Sequence, residues 1–243
     1  MNTISSIKKN TAQQPRHIAI IMDGNRRWAE QHKLELLKGH ERVATTIIQE
    51  LTEHCIKIGV PYLTLWAFST ENWHRDTQEV MGIMDLFRSG FKKNARELHE
   101  KGVRLTTIGD LSFFPGDIQK NIAEWVRATE KNTAITVTLA LNYGGRDEII
   151  RAVNKVMSQR SGSGTLATEI TQAEFSHYLD TAALPDPDLI IRPGGEKRVS
   201  GYLPWQSVYS ELYFTDTLMP DFGAEQLDEA LADFAQRQRR FGK

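Results

Sequence analysis

Two hydrophobic rhythms alternate along nearly the whole chain. Short apolar runs recur as "HIAIIM" (17–22), "PYLTLWAF" (61–68), "VRLTTIGD" (103–110), "AITVTLALNYGG" (134–145), "DLIIRPGG" (188–195) and "LYFT" (212–215). Between them, apolar residues fall at three- and four-residue intervals across 39–58, 78–100, 116–131 and 147–159, and again at Leu227, Leu231 and Phe234. The first rhythm predicts buried strands and the second predicts amphipathic helices. On the longest helix one stripe carries Val80, Met84, Phe87, Phe91 and Leu98. Strands alternating with helices predict an α/β fold, with a mostly parallel central sheet flanked by helices on both faces. "RSGSGT" (160–165) reads as a flexible loop within one domain, because the same rhythm resumes beyond it.

Composition adds a few exclusions. A chain of 243 residues, 25% charged and with a formal net charge of −1, suits one domain over 17–243 behind a polar, flexible segment at 1–16. Charge balance this close to zero speaks against bulk attraction to nucleic acid. Cys55 is the only cysteine, which leaves no intrachain disulfide and no thiolate cluster for zinc. It shares a helical face with Val43, Ile47, Leu51 and Ile58, where it is expected to pack. The first 16 residues lack the apolar core of a secretory signal, and no run approaches the ~20 residues of a membrane span, so a cytoplasmic protein is expected.

Parallel sheets bind ligands at the carboxyl ends of their strands, and three strand ends here are crowded with polar groups. After "HIAIIM" come Asp23, Gly24, Asn25, Arg26 and Arg27. Glycine permits close backbone approach, and the arginines offer forked donors to an anion. Asp23 is the odd member among anion binders. A divalent cation resolves the conflict, because magnesium is held by one or two carboxylates together with substrate phosphates. The alternative is an acid capping a helix beside solvated arginines. The second strand end delivers Ser69, Glu71, Asn72, Trp73, His74 and Arg75; an amide beside an indole suits a ligand with a polar head and an apolar body, and an ordinary loop over a tucked-in Trp73 is the alternative. The stretch 190–205 supplies Arg192, two glycines, Glu196, Arg198 and Ser200, which suit a second phosphate-like group or else a tight turn. An anion-binding cleft explains all three together.

Several chemistries lack their signatures. The chain has no GxxxxGK[ST], no GxGxxG after the first strand, no G-x-S-x-G and no HExxH. Phosphate binding without a nucleotide motif or a covalent nucleophile points to substrates that carry their own diphosphate.

The stretches "HIAIIMDGNRRWA", "KGH", "LTLWAFSTENWHR", "LALNYGGRDEI", "DLIIRPGGEKRVSGYLPWQSVYSELYFTD" and the terminal "RRFG" resemble the cis-prenyltransferases, typified by undecaprenyl diphosphate synthase. The resemblance spans about residues 17–242. It implies a Mg²⁺-dependent, head-to-tail condensation of isopentenyl diphosphate with an allylic diphosphate. It also implies a homodimer, an apolar tunnel for the growing chain, and transient contact with a membrane surface for product release. On this resemblance Asp23 holds magnesium, shared with Glu211. Gly24, Asn25, Arg26, Arg27, Trp28 and His40 surround the allylic diphosphate. Asn72 and Ser69 stand near proton abstraction, beside Trp73 and Arg75. Arg192, Arg198 and Ser200 take isopentenyl diphosphate, and Arg240 and Gly242 reach the partner's site. Alternating Ile135, Val137, Leu139 and Leu141 face either a hydrocarbon tunnel or the plain sheet core.

Several positions depart from the bacterial undecaprenyl pattern. Leu36 and Val43 replace an arginine and a glycine around the G-H pair, and Arg26 stands where glycine is frequent. Pro193, Pro204 and Asp76 replace a threonine, a leucine and a proline. The resemblance still implies an undecaprenyl-type product from a farnesyl primer, and these departures make a short-chain or irregular, lavandulyl-type synthase the alternative. A non-catalytic partner subunit is the outside alternative, although such relatives lose the acid and arginines that this chain keeps.

Overall fold

In the computed structural model the described residues are 14–163 and 169–237; the side chains of 91–95 and 162–163 are not among them. Six strands form one sheet in the order β3-β4-β2-β1-β5-β6, and every pairing is parallel. They are β1 (His17–Ile21), β2 (Tyr62–Ser69), β3 (Val103–Ile108), β4 (Ile135–Tyr143), β5 (Leu189–Arg192) and β6 (Glu211–Phe214). All five residues of β1 are buried. Ile18 and Ile20 pack into the core of one sheet face, whereas Ala19 and Ile21 pack into that of the other. A strand covered on both faces has no polar side to show, which is why its sequence reads as continuously apolar.

The larger core lies under α3 (Ile48–Ile58), α4 (Thr77–Glu100), α5 (Gly116–Ala128) and α8 (Ala224–Gln236). Cys55 is fully buried in it, and burial pushes its thiol up to about 12. The opposite face is closed by Tyr143, Tyr202 and Leu203, next to α6 (Gly145–Ser163) and α7 (Gln172–Ser176). Ile135, Val137 and Leu141 are sealed in the larger core, with Leu139 packed against it.

Three features differ from the pattern-based expectation. The helix expected across 39–58 is continuous but not regular: α2 (Leu37–Arg42) passes through a π-helical turn at Val43–Ile47 into α3. Such turns insert a residue into the helical ladder and recur at functional sites. Of the loop expected at 160–165, residues 160–163 are helical instead, because α6 continues through Ser163 and the Arg160 guanidinium grips the Glu174 carboxylate at 2.8 and 3.0 Å. Residues 164–168 lie outside the described set. Within the segment expected to be flexible at 1–16, Gln14 donates to the Ile58 carbonyl at 2.7 Å and Pro15 is buried; residues 1–13 lie outside the described set.

Strand order explains where a ligand goes. From β1 the chain crosses first to β2 on one side and later to β5 on the other, so the crossover direction reverses beside β1. The crevice outside such a switch point is the preferred binding place in open α/β sheets.

Candidate active site

At that switch point Asp23 follows the carboxyl end of β1 and β5 ends in Arg192. Arg192 is 6% exposed, so its charge needs partners. It donates through Nη2 to Asp23 Oδ2 at 2.9 Å, through Nη1 to Ser200 Oγ at 2.8 Å, and also to the Arg198 carbonyl. Arg27 reaches the other Asp23 oxygen at 3.1 Å and the Gly194 carbonyl at 2.6 Å. Asp23 thus sits between two guanidiniums and joins the first and third polar clusters of the sequence.

Two glycines make this packing possible. Gly24 holds φ +100°, in the left-handed region, and a Cβ there would strike Leu218 at 2.9 Å. Gly39 presses on the carbonyl of Asn25, where a Cβ would lie 2.1 Å from that oxygen. The close contact sets α2 against α1 (Asn25–Gln31) and brings His40 beside the first cluster.

A cavity of about 380 Å³ opens here. Its polar end is lined by Asp23, Gly24, Asn25, Arg26, Arg27, His40, Asn72 and Arg75, and its apolar wall by Val43, Ala44, Ile48, Ile83, Leu86 and Phe87. The π-helical turn contributes Val43 and Ala44 to that wall. A register shift of β2 against β4 falls at Trp66–Phe68, beside the cavity residues Trp66 and Ala67. Two buried polar atoms at the cavity, Asn25 Oδ1 and His40 Nε2, have no partner among the described residues. Burial, then Arg75 and Arg26, pull the His40 imidazole down to about 4, so it is neutral at physiological pH.

Other expected site residues are placed differently. Ser69 and Asn72 cap the short 3₁₀ turn at Thr70–His74, and the Ser69 N–H donates to Asn72 Oδ1 at 3.0 Å. The Asn72 carbonyl oxygen is therefore engaged, and its amide NH₂ is the group left for the cavity. Trp73 does not line the cavity. Its Nε1 donates to Asn142 Oδ1 at 2.8 Å and its ring packs edge-on against Phe68 and Phe114. Trp28 is likewise turned away: Nε1 donates to Asp221 Oδ2 at 2.8 Å while the ring stacks on His32. The Arg198 guanidinium is exposed and paired with Glu196.

Glu211 is not brought to Asp23 within one chain. It pairs with Leu189 at the amino-terminal start of β5, whereas Asp23 follows the carboxyl end of β1. The strand rise alone separates the two ends by roughly 10 Å, and Glu211 accepts from Arg237 at 2.9 Å. Arg240 and Gly242 lie outside the described residues. The described residues hold no group of three His, Cys, Asp or Glu fit for a metal. Asp23 as a lone carboxylate matches a magnesium whose other ligands are substrate phosphates and water.

One residue escaped the sequence reading. Glu79, 8% exposed in the first turn of α4, accepts from Arg75 Nη1 at 2.9 Å and pairs with Arg26 Nη1 at 3.5 Å. The spacing of Arg75 and Glu79, four apart at a helix start, was the available signal.

Residues 21–242 match the family model described as "Putative undecaprenyl diphosphate synthase". An isoprenyl transferase of Clostridium perfringens is 46% identical over 228 residues, covering 94% of this chain and 90% of that one. A ditrans,polycis-undecaprenyl-diphosphate synthase of Micrococcus luteus, (2E,6E)-farnesyl-diphosphate specific, is 45% identical over 96% of this chain and 93% of its own. The crystal structure of lavandulyl diphosphate synthase from Lavandula x intermedia, in complex with dimethylallyl diphosphate, superposes with a TM-score of 0.91 at 33% identity, covering 96% of this chain and 100% of that chain.

Proposed function

Because the chain belongs to the undecaprenyl diphosphate synthase family of prenyltransferases, we propose that it condenses isopentenyl diphosphate with an allylic diphosphate, primed by farnesyl diphosphate and ending at undecaprenyl length. One observation carries this reading: residues following two strand ends, β1 and β2, meet at a single cavity with a cationic end and an apolar wall, and Asp23 ties the third cluster to it through Arg192. The allylic diphosphate head belongs among Asn25, Arg26, Arg27 and Arg75, and its hydrocarbon tail runs along Ile83, Leu86 and Phe87. Arg192 and Ser200, joined to the cavity through Asp23, take isopentenyl diphosphate, with the exposed Arg198 folding onto it. Fixed guanidiniums stabilise the charge that builds on the departing diphosphate.

Magnesium, held by Asp23 and the substrate, would supply Lewis-acid stabilisation of that same charge. With its carbonyl oxygen engaged by Ser69, Asn72 orients substrate as a hydrogen-bond donor, and a diphosphate oxygen takes the proton lost from the new bond. Neutral His40 offers an uncharged ring nitrogen at the polar end.

The working unit is a homodimer in the cytoplasm, touching the membrane surface transiently when product leaves. The exposed stripe of Ile150, Val153 and Met157 on α6 supports the dimer, and any metal role of Glu211 requires the second subunit. The described residues contain no helix long and apolar enough to cross a membrane.

A product assay tests the reading. Purified protein, Mg²⁺ and labelled isopentenyl diphosphate are offered dimethylallyl, geranyl or farnesyl diphosphate in turn. Undecaprenyl-length products from farnesyl diphosphate support it. Short or branched products would move the chain to the lavandulyl-type alternative, which Pro193 and the plant structure favour. Absence of turnover would overturn the enzymatic reading.

A further inference from the structure

Glu79 is a buried carboxylate serving two arginines from different elements. Arg26 projects from α1 and Arg75 from two positions before α4, and both line the cavity while Glu79 does not. The two pairs are unequal. Arg75 is held at 2.9 Å with its side chain 32% exposed, whereas Arg26 is held at 3.5 Å with its side chain 50% exposed. A long, half-exposed ion pair contributes little and is easily given up; a shorter, better buried one persists. Of the other carboxylates at the cavity, Asp23 is already bracketed by Arg27 and Arg192, and Glu30, four residues further along α1, lines the cavity without an ion pair to Arg26 among the described residues.

We propose that Glu79 is a positioning residue that parks Arg26 in the empty cavity and hands it to the incoming allylic diphosphate while keeping Arg75 in place. The inference rests on the diphosphate reading of the cavity and adds a competition within it. Glu79 and the diphosphate are rival anions for one guanidinium, so the protein's own carboxylate weakens ground-state binding. When Arg26 leaves, the charge-assisted bond to Arg75 remains, and that arginine stays aimed at the ligand. The arrangement also links α1 to α4, the two elements on either side of the cavity's polar end, and the link loosens when ligand binds.

The test uses inorganic diphosphate as the probe, by calorimetry, alongside steady-state kinetics on the full chain. Glu79→Gln keeps the shape and a hydrogen-bonding side chain but removes the competing charge. Diphosphate should then bind more tightly, by about fivefold, while kcat falls because Arg75 is held less firmly. The KM for the allylic substrate should fall together with kcat. Adding Arg26→Met to Glu79→Gln should abolish the tighter binding, and Arg26→Met alone should weaken it. A purely structural Glu79 would give weaker diphosphate binding in Glu79→Gln, or a gain that survives loss of Arg26, and either result would overturn the proposal. Because diphosphate binding is read without turnover, failure of the competition is distinguishable from failure of the prenyltransferase reading, which the product assay decides.

Discussion

At the amino-terminal edge of the sheet, Asp188 accepts from the backbone N–H groups of Arg16 and His17 at 2.7 and 3.1 Å. His17 spans from the Pro185 carbonyl to the Thr64 hydroxyl, with 2.7 Å on each side. Glu211 is closed by Arg237. At the carboxyl-terminal edge of the same strands, Asn25 Oδ1 and His40 Nε2 have no partner among the described residues, and Arg26 is held only loosely. Both edges are polar, yet only one is left unfinished. A buried polar atom without a partner costs about 1–3 kcal/mol, a cost that persists where a ligand normally removes it. The contrast separates groups that hold the protein together from groups that wait for substrate.

The comparison can be broken most directly at Asp23. Asp23→Asn preserves the shape but keeps one acceptor oxygen where Arg27 and Arg192 each use one, so the melting temperature should fall modestly. Turnover should fall by about 10³-fold, through loss of the charge that positions arginine and metal. A drop in stability with activity retained would put Asp23 in the structural class instead. At the opposite edge Asp188→Ala should do the reverse. Losing the acceptor of two N–H groups should lower unfolding free energy by about 1–3 kcal/mol, visible as a shifted urea midpoint, with KM values unchanged.

The two histidines sharpen the contrast without removing any side chain. Burial lowers the pKa of both. In the His40 case, the unfolded chain binds a proton near 6.5 and the folded chain only near about 4. Stability is therefore full above about 6.5 and is lost progressively as pH falls toward about 4. NMR titration should find His40 neutral across the working range. Inorganic diphosphate should shift the ring signals of His40, whose Nε2 is unpartnered, and leave those of doubly bonded His17 in place. Equal shifts would erase the distinction. The smallest effect is expected at Trp73→Phe, which removes the bond to Asn142 and should cost about 1 kcal/mol of stability with little change in allylic KM. A large KM effect would return Trp73 to the substrate.

Much of this was legible in the residues. Six apolar runs became six parallel strands, most plainly β1 and β5, where burial on both faces leaves no alternation to misread. The polar clusters at 23–27 and 72–75 reached one cavity because strand ends in a parallel sheet share one edge. Less legible were the aromatic side chains. Trp28 and Trp73 sit within the most informative motifs, but a motif marks a neighbourhood and says nothing of which way an indole turns. The distance of Glu211 from Asp23 was not legible either: its motif follows the third cluster closely in sequence, whereas β6 starts at the far edge of the sheet.

What the chain by itself determined is the architecture and the inventory of charges, since hydrophobic period and residue type are local properties. What the tertiary structure alone decided is partnership. Asp23 with Arg192 spans 169 positions, and Arg26 with Glu79 joins separate helices. Whether a carboxylate is a ligand site, a counter-ion or a strut depends on which charges folding brings within a few ångströms, where low dielectric magnifies each pairing. No periodicity along the chain encodes that distance.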